Sequence, residues 1–243
     1  MINISLQPEY ILGIGGIYFS NTFLTSFVVS LILIVFSFIF YRNRNRKILP
    51  LSILKITIYE LMRLTDRVTG DRKMTKTILP VICTFFIYIV TANLIALLPG
   101  FLGSFYIYSG GQKIALLRSP NSDVNTTFAL AIFSVLATQY FSFQRLGTKK
   151  YISRFLNIAS PLSLLLGFFE ILSEAAKVLS FSFRLFGNIF AGEILLLVIA
   201  FLVPYIIPIP FMFMEIFVGI IQAFIFAVLT LTFIKTSTIT TEI

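Results

Sequence analysis

The chain has 243 residues, 58% of them hydrophobic and only 12% charged, with a formal net charge of +9. Its mean hydropathy of +0.96 is far from the balance of a soluble globular domain and marks a polytopic membrane protein of one membrane domain. With no histidine and one cysteine, the sequence excludes His-based metal sites, His-dependent nucleophilic triads and internal disulfides, and Cys83 reads as inert filler.

The first apolar run, residues 21–41, is long enough to cross a hydrocarbon core and ends abruptly at "RNRNRK". No basic region precedes it, so it reads as a retained span rather than a cleaved signal. The segment from Arg42 to Lys76 carries ten Lys/Arg, and Arg145 to Arg154 carries four more, whereas the other connections are poor in them. Basic residues beside apolar spans set topology and meet lipid headgroups, which accounts for the positive charge without nucleic acid. The two basic loops are therefore expected in the cytoplasm, with the amino terminus outside and the carboxy terminus cytoplasmic.

Between the first two spans, where an interfacial helix is expected over 49–66, Leu54, Ile58, Leu61 and Met62 fall on one helical face and Lys55, Tyr59, Arg63 and, just beyond it, Arg67 on another. That is the pattern of an amphipathic helix lying on the inner surface, and periodicity alone equally fits a solvated helix with one buried side. The second span covers 78–98. A polar outer connection follows, and the third span, 124–144, begins at "DVNTTFALA". Asp123 and Asn125, with Thr126 and Thr127, sit at its outer mouth, where Asp or Asn caps a helix start.

From Pro161, a first-turn proline, no proline or polar break interrupts a helical reading until Pro204. Residues 161–203 would make about 64 Å of helix, twice the hydrocarbon thickness. Either this segment breaks into two spans near "SFRLFGN", or it is one steeply tilted helix. A break would put the uncharged connection "VPYIIPIP" on the same side as "GTKK", against the charge bias, so the single tilted helix is favoured. The last apolar segment, 211–234, then completes an antiparallel hairpin. The expected fold is all-α, with about five membrane helices, the last two forming the long tilted hairpin.

That hairpin carries the polar residues that matter. Glu170, Lys177 and Arg184 fall within about 40° of one another on a helix, with Glu174 and Asn188 beside them. Ser180 lies one turn before Arg184. Glu193 looks to the opposite side of that helix, so Arg184 and Glu193 are not a local ion pair, while Glu215 and Gln222 share a face of the last helix. Interhelical hydrogen bonding alone would account for Lys177 or Glu174, whose long side chains can snorkel to a membrane face. An arginine at mid-bilayer costs about 2.5–3.5 kcal/mol on insertion scales, so Arg184 with two deep carboxylates points instead to an ion path. Proton relay is the natural chemistry, because a carboxylate in low dielectric exchanges its proton without being consumed. Gly187 and Gly192 offer close helix approach.

On "SFRLFGNIFAGE" and "IQAFIFAVLT", which stand in the right order and at plausible separation, and on "PNSDVNTTFALA" at the start of an earlier span, the chain resembles subunit a of the rotary ATP synthases over most of its length from about Asn21. The resemblance implies a non-catalytic stator subunit in which Arg184 faces the rotor-ring carboxylates between two offset half-channels. It further implies that Asn188, Glu193, Glu215 and Gln222 line the outer half-channel and that Glu170 lies on the cytoplasmic path. Glu215 stands where some relatives have histidine, and Glu174 has no fixed counterpart. Implied partners are a ring of small c-type rotor subunits, peripheral-stalk b-type subunits, membrane lipid and protons. Sodium stays open as the ion, because ion choice depends largely on the rotor. No cofactor is implied. The "GNIFAGE" form is similar to bacterial relatives, which implies a plasma or inner membrane rather than an organelle. The alternative is a stand-alone secondary transporter with Arg184, Glu193 and Glu215 as its substrate site, although no inverted repeat is visible. An intramembrane hydrolase would need a nucleophile–base pair or paired aspartates, and Asp66, Asp71 and Asp123 all lie near interfaces or loops.

Overall fold

The computed structural model describes residues 10–14, 17–43, 49–97, 106–109, 112–115, 118–155, 161–204 and 206–239. The basic run 44–47, the end of the second expected span at Leu98, and Ser160 before the first-turn proline lie outside the described residues. Those described form six helices: α1 (Asn21–Arg42), α2 (Leu49–Thr69), α3 (Arg72–Ala96), α4 (Val124–Phe155), α5 (Pro161–Leu202) and α6 (Pro208–Thr238). Two short antiparallel hairpins, β1 (Tyr10–Ile14) with β2 (Ile17–Ser20) and β3 (Tyr106–Ser109) with β4 (Gln112–Ala115), sit on the connections before α1 and α4. All of the helices except α2 are long and apolar enough to cross a membrane.

Local chemistry sets the helix starts. The Ser20 hydroxyl accepts the Phe23 N–H at the head of α1, and the Asp71 carboxylate accepts the Lys73 N–H at the head of α3. Asp71 also pairs with Arg145 at 3.1 Å. The Lys73 N–H and then the Arg145 guanidinium hold this exposed carboxyl below the ordinary carboxylate range. α2 buries Leu51, Leu61 and Thr65 toward α3 and α6, while Ile53, Ile56 and Tyr59 face outward beside exposed Arg63 and Arg67. It thus has both the buried side and the outward apolar face that its periodicity allowed.

α5 runs 42 residues without interruption, about 63 Å, so the polar "SFRLFGN" does not break it. α4 is bent instead. Gly147 has φ 76° and ψ 164°, a conformation open essentially to glycine alone, and the chain reverses there. The tail after the bend folds back, with Tyr151 stacked edge-on against Phe143 and its hydroxyl donating to Gln139 Oε1 at 3.0 Å. The loop expected at 145–154 is therefore a short return helix that delivers Arg154 to the amino-terminal end of α5.

Two buried apolar clusters hold the bundle: Phe85, Ile89, Phe181, Leu185 and Phe226 in one, Ile78, Ile82, Phe141, Leu231 and Ile234 in the other. Lipid is as apolar as these side chains, so packing and interhelical hydrogen bonds must supply specificity. Ser134–Thr230 at 2.8 Å, Thr127–Ser182 at 3.1 Å and Ser142 to the Ser237 carbonyl at 2.8 Å tie α4 to α5 and α6. Each such bond is worth about 0.6 kcal/mol in a membrane. Phe183, Phe213 and Phe217 point away from the bundle, toward lipid or a neighbour.

Candidate functional site

The site is built on α5. On a helix rising about 1.5 Å per residue, Glu174 and Glu193 stand about 28 Å apart, and Arg184 lies within a residue of their midpoint. The polar set falls into two groups and an isolated centre; the groups are called outer and inner after the sides expected from the charge bias.

The outer group gathers four elements. Asn121 donates to Asn93 Oδ1 at 2.7 Å, and Asn93 donates to the Gly219 carbonyl at 3.0 Å, joining the turn before α4 to α3 and α6. Glu193 receives Arg118 Nε at 3.2 Å, with both side chains 12% exposed. Glu215 is 6% exposed and lines, with Glu193, Asn93 and Ser119, a cavity of about 20 Å³, room for about one water. Gly192 explains how Glu215 fits: a Cβ at that position would overlap its carboxylate. Two turns along α6, Gln222 accepts from Asn188 Nδ2 at 2.8 Å, continuing the polar line toward the middle of the hairpin.

The inner group is a charge network. Arg154 bonds Glu170 and approaches Glu174 to 3.9 Å, and its other nitrogen donates to the Ser237 carbonyl at 3.4 Å. Lys177 pairs with Glu174 at 2.8 Å and lies over the Phe233 ring. Lys177 is therefore an ion-paired residue. Glu174 is buried, and its second oxygen, Oε2, has no hydrogen-bond partner among the described residues.

Arg184 stands apart. It is exposed, its one hydrogen bond is a long 3.5 Å contact to Ser180, and no carboxylate lies within ion-pair distance among the described residues. Two carboxylates, one arginine and two amides thus lie on the hairpin in separate groups. Glu193 with Glu215, and Asn188 with Gln222, come together, while Arg184 joins neither carboxylate. The polar stripe of α5 likewise divides, with Glu170, Glu174 and Lys177 committed to the inner network. Asp123 caps α4, accepting the Asn125 N–H at 2.9 Å, and its other oxygen accepts the Thr22 hydroxyl at 2.7 Å. Asn125 itself is exposed beside that cap.

Sequence reasoning missed Arg118, Asn93, Asn121 and Arg154. Arg118 and Arg154 lie in connections, where a positive charge reads as a topology determinant. Asn93 had a signal of its own, a lone amide inside an apolar span, which in a membrane calls for a partner.

The family model described as "ATP synthase A chain" matches residues 23–235. A protein of Moorella thermoacetica named "ATP synthase subunit a" is 28% identical over 94% of this chain and 95% of its own length. One of the same name from Campylobacter jejuni is 33% identical over 71% of this chain and 70% of its own. The matched range takes in Arg184, Glu193 and Glu215 on the hairpin as well as the turn before α4, and the chain belongs to the ATP synthase A chain family.

Proposed function

We propose that this chain is the proton-translocating stator subunit of a rotary F-type ATP synthase, a component that conducts ions while the complex makes or hydrolyses ATP elsewhere. One observation carries the reading: Arg184 is an exposed, uncompensated cation midway along a long apolar helix. In lipid such a charge needs a counter-charge, and a carboxylate on a neighbouring subunit supplies it.

The surroundings of Arg184 fit a moving neighbour. Ala176, Ser180, Gly187 and Ala191 share its face of α5 within about 80° and are exposed, so a second helix can approach closely. A ring of small c-type subunits, each with a membrane carboxylate, matches that surface. Such a carboxylate stays ionised opposite Arg184 and takes up or gives up its proton at the polar groups on either side. A steep tilt of α5 lays the 28 Å or so between Glu174 and Glu193 largely along the membrane plane, offsetting two half-channels. Glu193, Glu215, Asn188 and Gln222 then serve the outer half-channel, Glu170 and Glu174 the inner one. The fixed charge of Arg184 bars direct proton passage between them.

By charge bias the amino terminus lies outside, the carboxy terminus and Arg145–Arg154 lie in the cytoplasm, and b-type stalk subunits are further neighbours. The transporter alternative needs Arg184, Glu193 and Glu215 around one substrate; their separation on opposite faces of α5 speaks against it.

The test is ATP-driven acidification of inverted membrane vesicles containing the whole complex. Arg184→Ala is expected to abolish pumping with assembly intact, and to raise passive proton leak or uncouple ATP hydrolysis. Pumping near the native level would sink the rotary reading.

A further inference from the structure

The outer group contains a cation that the proposed path does not use. Arg118 precedes α4 on the outer connection, 75 residues from Glu193 in sequence, yet its Nε lies 3.2 Å from Glu193 Oε1 and 3.5 Å from Oε2. Three further contacts fix its position. Its backbone N–H donates to Thr25 Oγ1 on α1 at 3.2 Å, its guanidinium lies 5.8 Å from the centre of the Phe190 ring on α5, and the next residue, Ser119, lines the cavity between Glu193 and Glu215. A guanidinium held at this depth is costly to move and strong as a partner, because water competes little with it.

We propose that Arg118 is a positioning residue of the outer half-channel: it clamps the Glu193 carboxylate from outside, so that Glu215 is the acid that exchanges protons there. The proposal rests on the stator reading above. Two carboxylates line one small cavity, and among the described residues Arg118 is at ion-pair distance from Glu193 and not from Glu215. Among the described residues, the charged groups facing Glu193 are Arg118 from the outer connection and Glu215 from α6; α3 contributes the neutral Asn93. Glu193, held by Arg118, therefore acts as a fixed negative wall beside Glu215. Glu215 has the freedom that Glu193 lacks, with a water-sized space on one side and the line toward Gln222 on the other.

The whole complex in proteoliposomes tests this, with ATP synthesis driven by a fixed membrane potential while outer and inner pH are varied separately. Arg118→Gln is expected to lower the rate about tenfold and to displace the outer-pH profile while leaving the inner-pH profile in place. Arg118→Lys, which restores the charge without the fork, should recover the rate to within about threefold, with a smaller displacement in the same direction. An unchanged rate and outer profile in Arg118→Gln overturns the proposal. So does equal impairment of both variants with the outer profile unmoved, which would make Arg118 a mere structural prop. Should Arg118→Gln fail to assemble, Arg118→Lys decides alone: a displaced outer profile supports the clamp and a native one removes it. Arg184→Ala in the same vesicles separates the two readings. If it still supports coupled synthesis, the stator reading has failed; if it is dead while Arg118→Gln behaves as native, only the clamp has.

Discussion

The two ends of α5 handle charge in opposite ways. At the inner end Arg154 and Lys177 meet Glu170 and Glu174, two cations against two carboxylates in a network that reaches α4 and the end of α6. At the outer end Arg118 is the one cation in contact with Glu193, and Glu215 lies buried without an ion-pair partner among the described residues. The inner end is a balanced cluster in which each charge is partly screened by another. The outer end has an excess negative group packed against a glycine. Ionisation of a side chain is an easier switch where balance is absent, so the outer end should be the more sensitive to substitution.

The sharpest way to break that contrast is Gly192→Val. A side chain there displaces the Glu215 carboxylate without touching any inner residue, and ATP-driven acidification by the assembled complex should fall about tenfold or more. Native pumping would mean that Glu215 works equally well from another position. A smaller effect is expected of Arg154→Gln. It leaves Glu170 and Glu174 with Lys177 alone, but the pair is about a quarter exposed, so solvent takes up part of the loss. Pumping should drop about threefold with the outer-pH profile native; a displaced outer profile would mean that the two ends are not separate.

The smallest effect concerns the inner surface. The Asp71 carboxyl, held below its ordinary range by the Lys73 N–H and by Arg145, favours the folded state above the unfolded carboxylate range and loses that contribution as pH falls through its own lowered value. Asp71→Asn should lower the thermal midpoint of the purified complex by about a degree at neutral pH, and the difference should vanish in acid. A constant difference at all pH values would show that the cap, not the charge, matters.

Much of α5 was legible because its information is local. A proline at the start, an unbroken apolar run and polar residues at helical spacing need no knowledge of the rest of the chain. The opposite placement of Arg184 and Glu193 followed from their nine-residue separation by the same geometry. What stayed hidden depends on distant chain segments. Arg118 reaches Glu193 across 75 residues, and Asn93 reaches Gly219 across 126. Nothing in the local sequence of Arg118 distinguishes it from a topology charge, because its role is set by where the outer connection lands. The return of Arg154 hinges on the backbone angle at Gly147, which a glycine permits but does not dictate. The hairpin β3–β4 is short and sits in a connection whose polar composition reads simply as loop.

The face of α5 around Arg184 also has a mechanical meaning. Helices that lock in register do so by fitting large side chains into holes between their neighbour's. Ala176, Ser180, Gly187 and Ala191 offer no such knobs, so a helix passing over them meets a shallow, nearly level surface. Along that strip of small residues the steep feature is the arginine's field. The contact behaves as a plain bearing with a single electrostatic detent, in which a passing subunit is stopped by charge and not by shape.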